Sequence, residues 1–269
     1  MSAGHIKKDE DFPWWLVAIV VIGLGLAALI AINDLYMQVF TTVAKGIGIT
    51  IFVTLAAFAL ATLLGLGLSL LSMADNIALR QAARFYIEVI RGIPVLVLLF
   101  YIAFVGTPAL VALYNWLIAI PVEKGWFEPL LVRDVSLTWR AIIALTICYA
   151  AFIAEIFRAG IQSVSVGQIE AAKALGLNRY HRFRLIVLPQ ALRTIFPPLS
   201  NDFVAMVKDS SLVSVLGVTD ITQMGKVYAA GSFRFFETYS IVAYVYLILT
   251  IGLSLILRRV EKAMRSKQG

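Results

Sequence analysis

The sequence predicts an all-α fold, a polytopic membrane helix bundle with about six transmembrane helices. Of its 269 residues, 61 % are apolar and 14 % are charged, and the mean hydropathy is +0.89. A soluble domain averages about 45–50 % apolar and about 25 % charged residues. The apolar residues also gather in long uncharged runs, and Lys and Arg concentrate in particular segments between those runs. These observations exclude an ordinary soluble domain, and they exclude a disordered chain, which needs low hydrophobicity.

Five runs have the length of a membrane crossing, which takes about 20 apolar residues. They cover residues 14–32, 46–72, 92–120, 141–157 and 238–257, and only the fourth contains a charge, Glu155. A buried helix of a soluble protein could explain one such run but not four uncharged runs of 19 to 29 residues. The first run exceeds the usual apolar core of a signal peptide, about 7–15 residues, and we interpret it as a retained helix.

A sixth crossing is expected over residues 195–218. Its ends are apolar, but its middle carries Asn201, Asp202, Lys208 and Asp209. We therefore expect a broken or cavity-lining span. With six crossings and a cytoplasmic N-terminus, 16 of the 23 basic residues lie on the inside and six lie on the outside. This asymmetry predicts that the tails 1–13 and 258–269 are both cytoplasmic.

Several site types are excluded by the sequence. Cys148 is the only cysteine, and His5 and His181 are the only histidines, so we expect no disulfide and no metal site. A phosphate-binding loop is also missing, because Gly225 and Lys226 lack the upstream glycine and the following hydroxyl. We therefore expect no catalytic residue and no cofactor in this chain. Three glycine pairs are expected to permit close helix packing: Gly23 and Gly25, Gly46 and Gly48, and Gly65 and Gly67.

The longest cytoplasmic connection, residues 158–194, is also the most basic, and it reads as two short helices. Ser165 followed by Gln168 matches a capping box and predicts a helix beginning at Val166. Gly176 is suited to end that helix, and Asn178 to cap a second one. Pro189 is expected to end the second helix. On these signals alone, the loop could equally be an ordinary hairpin at the membrane surface.

The residues of this loop carry a family resemblance. Glu170-Ala171-Ala172, then Gly176 after three residues, then Ile186 and Leu188-Pro189, is similar to the EAA signature of the transmembrane subunits of binding-protein-dependent ABC importers. Other stretches resemble the polar-amino-acid branch of these permeases, and they cover residues 90–94, 154–160, 167–172, 188–191 and 208–212. The resemblance runs from about residue 43 to residue 265. The departures are the extra N-terminal helix and the long outer segment 121–140.

The resemblance implies a fold of the MetI-like type. A five-helix importer core would cover residues 46–257, preceded by an extra transmembrane helix and outer loop at 14–45. The loop 158–194 would hold the coupling helix, which contacts a separate ATPase subunit. The residues implied in coupling are Gln168, Glu170, Ala171, Ala172, Gly176, Leu188 and Pro189.

The resemblance also implies the partners. They are two ATPase subunits that bind ATP and Mg²⁺, an extracytoplasmic solute-binding protein and a second permease copy. A homodimer is preferred over a pair with a related permease. The expected solute is a polar amino acid, the expected location is the bacterial inner membrane, and no nucleic acid is expected.

Charges inside the membrane are costly and usually face a cavity, so we expect the solute pathway among them. The candidates are Glu155, Asn201, Asp202, Lys208, Asp209, Ser210 and Ser211. An amino acid needs acceptors for its ammonium group and a positive charge for its carboxylate. The alternative is internal pairing, with Lys208 bound to an acidic neighbour and Glu155 bound to Arg158.

Two further features stay open at this stage. Arg80, Arg84 and Arg91 are expected to set topology or to face lipid. The outer segment 121–140 suits contact with a solute-binding protein, but it could equally be an interfacial loop.

Two other functional classes are weighed against an importer. Glu155 and Asp202 could form the carboxylate pair of an intramembrane enzyme, but no activated nucleophile or metal site lies nearby. A channel or ion-coupled carrier for polar solutes would need no coupling loop.

Overall fold

The protein is described from residue 14 to residue 266 by a computed structural model, and these residues form helices joined by short turns, with no strand among them. The all-α prediction is thereby confirmed. The predicted tail 1–13 and residues 267–269 lie outside the described residues. The helices are α1 Trp14–Ile32, α2 Asp34–Ala44, α3 Ile47–Ser72, α4 Ile77–Gly92, α5 Val95–Tyr101, α6 Thr107–Leu117, α7 Ala119–Glu123, α8 Leu137–Gln162, α9 Val166–Ala174, α10 Arg179–Arg182, α11 Leu188–Asp209, α12 Ile221–Ser232 and α13 Phe235–Ser266.

Four helical segments within the described residues are long and apolar enough to cross a membrane. They are Asp34–Ser72, Val95–Leu117, Leu137–Gln162 and Phe235–Met264, and Val17–Ile32 is a shorter apolar helix. The predicted sixth crossing is only partly a helix. The helix α11 stops at Asp209, and a 3₁₀ segment, Ser210–Leu216, runs into the left-handed Gly217. The break expected in this span is therefore present.

The centre of the bundle is the pair α3 and α8. Gly65 makes their close contact possible, because a Cβ there would lie 2.9 Å from Ile153 Cγ2 and 3.0 Å from the Ala150 carbonyl oxygen. Gly46 likewise abuts the backbone of Asp220. The packing role predicted for the glycine pairs holds at one member of each of these two pairs. Gly25, Gly48 and Gly67 face open space in this chain.

The helix α4 was not predicted as a separate element. It begins at the Asn76 cap, buries Ala83 and Ile87, and exposes Arg84 and Arg91. Its Tyr86 hydroxyl donates to the Ile147 carbonyl of α8 at 2.8 Å. The predicted crossing 92–120 consequently starts only at α5, after Pro94.

The N-terminal helix α1 packs along α2 and α13. A Cβ at Gly23 would be in ordinary contact with the Tyr244 ring, at 4.0 Å. The rest of the described surface of α1 is largely exposed in the isolated chain. The extra helix is thus an addition to one side of the bundle, away from the α3–α8 pair.

Candidate coupling loop and solute pathway

The first helix of the loop 158–194, α9, begins at Val166 as predicted, but not by the predicted contact. The Ser165 side chain makes no capping hydrogen bond. Its backbone carbonyl instead accepts from the amides of Gln168 and Ile169, at 3.1 and 3.4 Å. The capping-box interpretation is therefore wrong at the side-chain level, although the helix start is right.

Gly176 ends this helix in the left-handed conformation, with φ of +77°. Its amide donates to the Lys173 carbonyl at 2.9 Å, and the next amide, of Leu177, donates to the Ala172 carbonyl at 3.1 Å. This pair of bonds is the Schellman motif, which satisfies carbonyls that would otherwise be orphaned. The turn predicted at Gly176 is confirmed, and its left-handed geometry favours a residue without a Cβ.

The second helix of the loop continues into the membrane, contrary to the predicted stop at Pro189. Asn178 caps α10 as expected, accepting from the His181 amide at 2.9 Å. The chain then passes through a π-turn, Phe183–Val187, straight into α11, which has Pro189 in its first turn. A proline in a regular helix clashes with the carbonyl four residues earlier, here that of Leu185. Residues 183–187 form a wider, π-helical turn around the Leu185 carbonyl. This turn makes room for the proline ring.

A second π-turn, Ile102–Gly106, precedes Pro108 in the same way. In both places the chain stays helical through a five-residue π-helical segment. The connection between the two long helices is therefore shorter than predicted, from residue 163 to residue 187 rather than from 158 to 194.

The loop has one buried and one exposed face. Val164 and Ala172 are buried, and Ile169 packs against the core of the bundle. The exposed face consists of Gln168, Glu170, Ala171, Gly176 and the 81 % exposed Leu175. Leu188 and Pro189 are half-buried at the start of α11. Ala172, one of the residues that the resemblance implies in coupling, is buried on the side of α9 that packs against the bundle.

Glu155 is engaged inside the chain. Its carboxylate accepts from Arg158 Nε at 3.1 Å, and Arg158 Nη1 reaches the Gln162 side chain at 2.8 Å. Both charged side chains are about one-third exposed. The internal pairing considered for Glu155 is the arrangement found.

The polar residues of α11 behave differently. Asn201 and Lys208 are exposed, two helical turns apart on one face, and Lys208 makes no ion pair in the described part of the chain. Asp202 is half-buried, and its Oδ2 has no hydrogen-bond partner among residues 14–266. The proposed pairing of Lys208 with an acidic neighbour is therefore not found.

The end of α11 is fixed by a contact that the sequence did not reveal. Asp209 accepts a hydrogen bond of 2.7 Å from the Tyr149 hydroxyl of α8. Ser210 is buried and donates to the Val207 carbonyl at 2.7 Å, while Ser211 is half-buried. These contacts hold the beginning of the 3₁₀ segment against α8.

A second polar contact, at the start of α12, was also not predicted, although the sequence contains a local signal for it. Asp220 is fully buried and caps α12 by accepting from the Gln223 amide at 2.8 Å, and its Oδ2 accepts from Tyr246 at 3.1 Å. The Ile221 amide donates to Thr50 Oγ1 at 3.2 Å. The spacing of Asp220 and Gln223 is that of a helix start. The described residues contain no group of three side chains suited to hold a metal ion.

Comparison with known proteins gives consistent matches over most of the chain. Residues 61–266 match the model of a family described as the binding-protein-dependent transport system inner membrane component. A Bacillus subtilis protein named "Probable amino-acid permease protein YxeN" is 37 % identical over 231 residues, which cover 86 % of this chain and 95 % of that protein. The glutamine transport system permease protein GlnP of Escherichia coli K12 is 38 % identical over 185 residues, 69 % of this chain and 75 % of GlnP.

A solved structure has the same fold. It is described as an amino acid ABC transporter with histidines, and it superimposes with a TM-score of 0.70 at 33 % identity. The match covers 86 % of this chain and 99 % of that one.

Proposed function

The chain belongs to the family of binding-protein-dependent transport system inner membrane components, and on this premise we propose that it carries a polar amino acid through the inner membrane by alternating access driven by a separate ATPase. As a member of this family it is an ABC transporter permease for amino acids and a multi-pass inner membrane protein. The observation that carries the finer proposal is the folded loop 163–187, which exposes one face of α9 beside a rigid connection into α11.

The exposed face of α9 is the proposed contact with the ATPase. Glu170, Gln168 and Ala171 lie on it, and the short alanine side chain leaves α9 thin enough to enter a groove. Exposed Leu175 adds an apolar contact beside the turn. Ala172 and Gly176 act on the chain itself, the first by packing on the bundle and the second by setting the turn.

Movement of α9 would reach the membrane through α10 and α11. Residues 179–209 form one uninterrupted helical path, in which Leu188 and Pro189 mark the passage from the π-turn into α11. A continuous helix transmits a displacement better than a flexible linker does. In the proposed cycle, ATP and Mg²⁺ bind to two ATPase subunits, and their closure moves the loops and opens the pathway outward.

The solute pathway is proposed along the exposed face of α11. Lys208 offers a positive charge for the solute carboxylate, and Asn201 offers an acceptor for the ammonium group. Asp202 lies on the adjacent, half-buried side of α11 and offers a second acceptor where the pathway borders the bundle. Glu155 and Asp209 are already bound to Arg158 and Tyr149, so we assign them positioning roles. Ser210 and Ser211 belong to the 3₁₀ segment that Asp209 holds in place.

A second permease copy is needed to cover this face. Charged and amide side chains inside a membrane do not face lipid without a large cost. Asn201 and Lys208 are exposed in the single chain, so another subunit would enclose them in a shared cavity. We propose a homodimer in preference to a pair with a related permease. Both termini are proposed to be cytoplasmic, and a solute-binding protein delivers the amino acid from outside.

Cysteine cross-linking to the ATPase tests the coupling contact. The chain's single cysteine, Cys148, is buried, so a cysteine introduced at the surface is readily distinguished. Glu170→Cys should cross-link to the ATPase in the assembled complex. Glu128→Cys is the matched control, because Glu128 is equally exposed and lies beyond the other end of α8. Equal cross-linking of both variants, or none at Glu170→Cys, would contradict the proposal.

A further inference from the structure

The segment that joins α6 to α8 folds into a fixed hairpin at the end of the bundle opposite to the loop 163–187. Asn115 closes it, since its side-chain amide donates to the Leu130 carbonyl at 2.8 Å and its oxygen accepts from the Leu130 amide at 2.9 Å. Arg140 fixes the stretch between the hairpin and α8 by donating to the Val135 carbonyl at 2.9 Å. The hairpin, residues 115–131, is therefore an ordered structure with a defined outer face.

The exposed surface of the hairpin is rich in apolar and aromatic side chains, and it also carries the charged Glu123, Lys124 and Glu128. Trp116 is 73 %, Trp126 69 % and Ile120 66 % exposed, and Leu117 and Phe127 are exposed beside them. Burying one such side chain is worth about 1.5–3 kcal/mol. Five exposed side chains of this size at one end of the bundle therefore favour a partner or a lipid phase that covers them, because large apolar surfaces are rarely left in water.

The first of these side chains continue an exposed apolar stripe of the membrane-spanning segment. Leu110, Leu113 and Leu117 follow one another at helical spacing on the exposed side of α6, and Ile120 of α7 extends the series. The helix α6 is part of the membrane-spanning segment Val95–Leu117. The exposed apolar side chains thus continue from the membrane-spanning segment as far as Ile120 in the first half of the hairpin.

The positions of the tryptophans indicate how deep the hairpin lies relative to the membrane surface. Three of the chain's five lie at this end, namely Trp116, Trp126 and Trp139, the last in the first turn of α8. Tryptophan is enriched where a membrane meets water. Lys124 places its ammonium 5.2 Å from the centre of the Trp126 ring. Such a pair of an apolar ring and a charged group suits a position between acyl chains and headgroups.

We propose that the hairpin 115–131 is an interfacial anchor that lies in the lipid headgroup region and inserts Ile120, Trp126 and Phe127 among the acyl chains. The occupant of its apolar face is the bilayer rather than the solute-binding protein. The anchor fixes the depth of α6 and α8 at this end of the bundle. It depends only on the chain's being a membrane protein and not on coupling to an ATPase.

Tryptophan quenching in lipid nanodiscs tests the anchor. A full-length variant keeps Trp126 and carries phenylalanine at the other four tryptophan positions. With lipids brominated near the headgroup end of their chains, its emission should be largely lost, and acrylamide in the water should have little effect. A variant that replaces all five tryptophans by phenylalanine and adds Leu175→Trp is the control, measured on nanodiscs that hold the permease without its ATPase, because Leu175 is 81 % exposed in the loop at the opposite end. Acrylamide should quench it strongly and brominated lipid should not.

Two results would overturn the proposal. One is strong acrylamide quenching of Trp126 without quenching by brominated lipid, which would place the hairpin in water. The other is protection of Trp126 only after the solute-binding protein is added, which would make the hairpin a protein-docking surface. Should the single-tryptophan chain not assemble, Trp126→Phe alone supplies the test. It should remove a lipid-quenched component from the emission of the otherwise unaltered protein, and an unchanged quenched fraction would refute the anchor.

Discussion

Replacement of Gly176 by alanine isolates the contribution of one backbone turn to coupling. A Cβ at this position would meet no atom within 4 Å, so the substitution creates no collision. Its cost is the left-handed conformation at φ of +77°, about 1–2 kcal/mol for a residue with a Cβ. That penalty lowers the population of the native turn by a factor of about 5–30. The alternative turns break the bonds from Gly176 and Leu177 that end α9.

The assay is solute-dependent ATP hydrolysis by the complex of permease, ATPase and binding protein in lipid. We expect Gly176→Ala to reduce the stimulation several-fold while membrane insertion and thermal stability stay close to those of the unaltered protein. Gly125→Ala is a matched control, because Gly125 has φ of +70° and equally open surroundings but lies at the opposite end of the bundle. If the two variants behaved alike, the loss would reflect general strain, and the reasoning about the coupling turn would be refuted.

Three further substitutions test the roles of charged residues in the membrane-spanning helices. Lys208→Met removes the proposed partner of the solute carboxylate and should raise the solute concentration for half-maximal uptake about tenfold or more, whereas unchanged uptake kinetics would exclude the role. Asp202→Asn should weaken solute use to a similar degree and leave the amount of inserted protein unchanged; normal uptake would remove Asp202 from the pathway. Glu155→Gln breaks the pair with Arg158 and should lower the unfolding free energy of the purified chain by about 1 kcal/mol or less. Its solute preference should be retained, and an altered preference would show that Glu155 contacts the solute.

Local signals predicted the loop better than they predicted its surroundings. The start at Val166, the glycine turn and the Asn178 cap each depend on neighbouring residues, and the structure contains all three. The continuation past Pro189 was not predictable from proline's usual effect, because a π-turn removes the clash that normally ends a helix. The burial of Ala172 arises where α9 packs against the bundle, and the family signature that implies Ala172 in coupling does not indicate it.

The candidate residues of the solute pathway show the same difference between contacts that local signals predict and contacts that they do not. Pairing of Glu155 with Arg158 follows from their spacing of three residues on one helix and was foreseen. The bond between Tyr149 and Asp209 joins residues 60 positions apart, and no local pattern indicates it. Composition could not distinguish Asp209, which is bound, from Lys208, which is not, because that difference arises only when α11 and α8 meet.

Uptake into proteoliposomes that contain the permease and its ATPase is the most direct test of the proposed importer. The account predicts that a polar amino acid enters only when the binding protein is present outside and ATP with Mg²⁺ can reach the ATPase. Ion gradients alone should give no accumulation. Uptake at the same rate without ATP, or driven by an ion gradient in its place, would contradict the account and indicate a channel or an ion-coupled carrier.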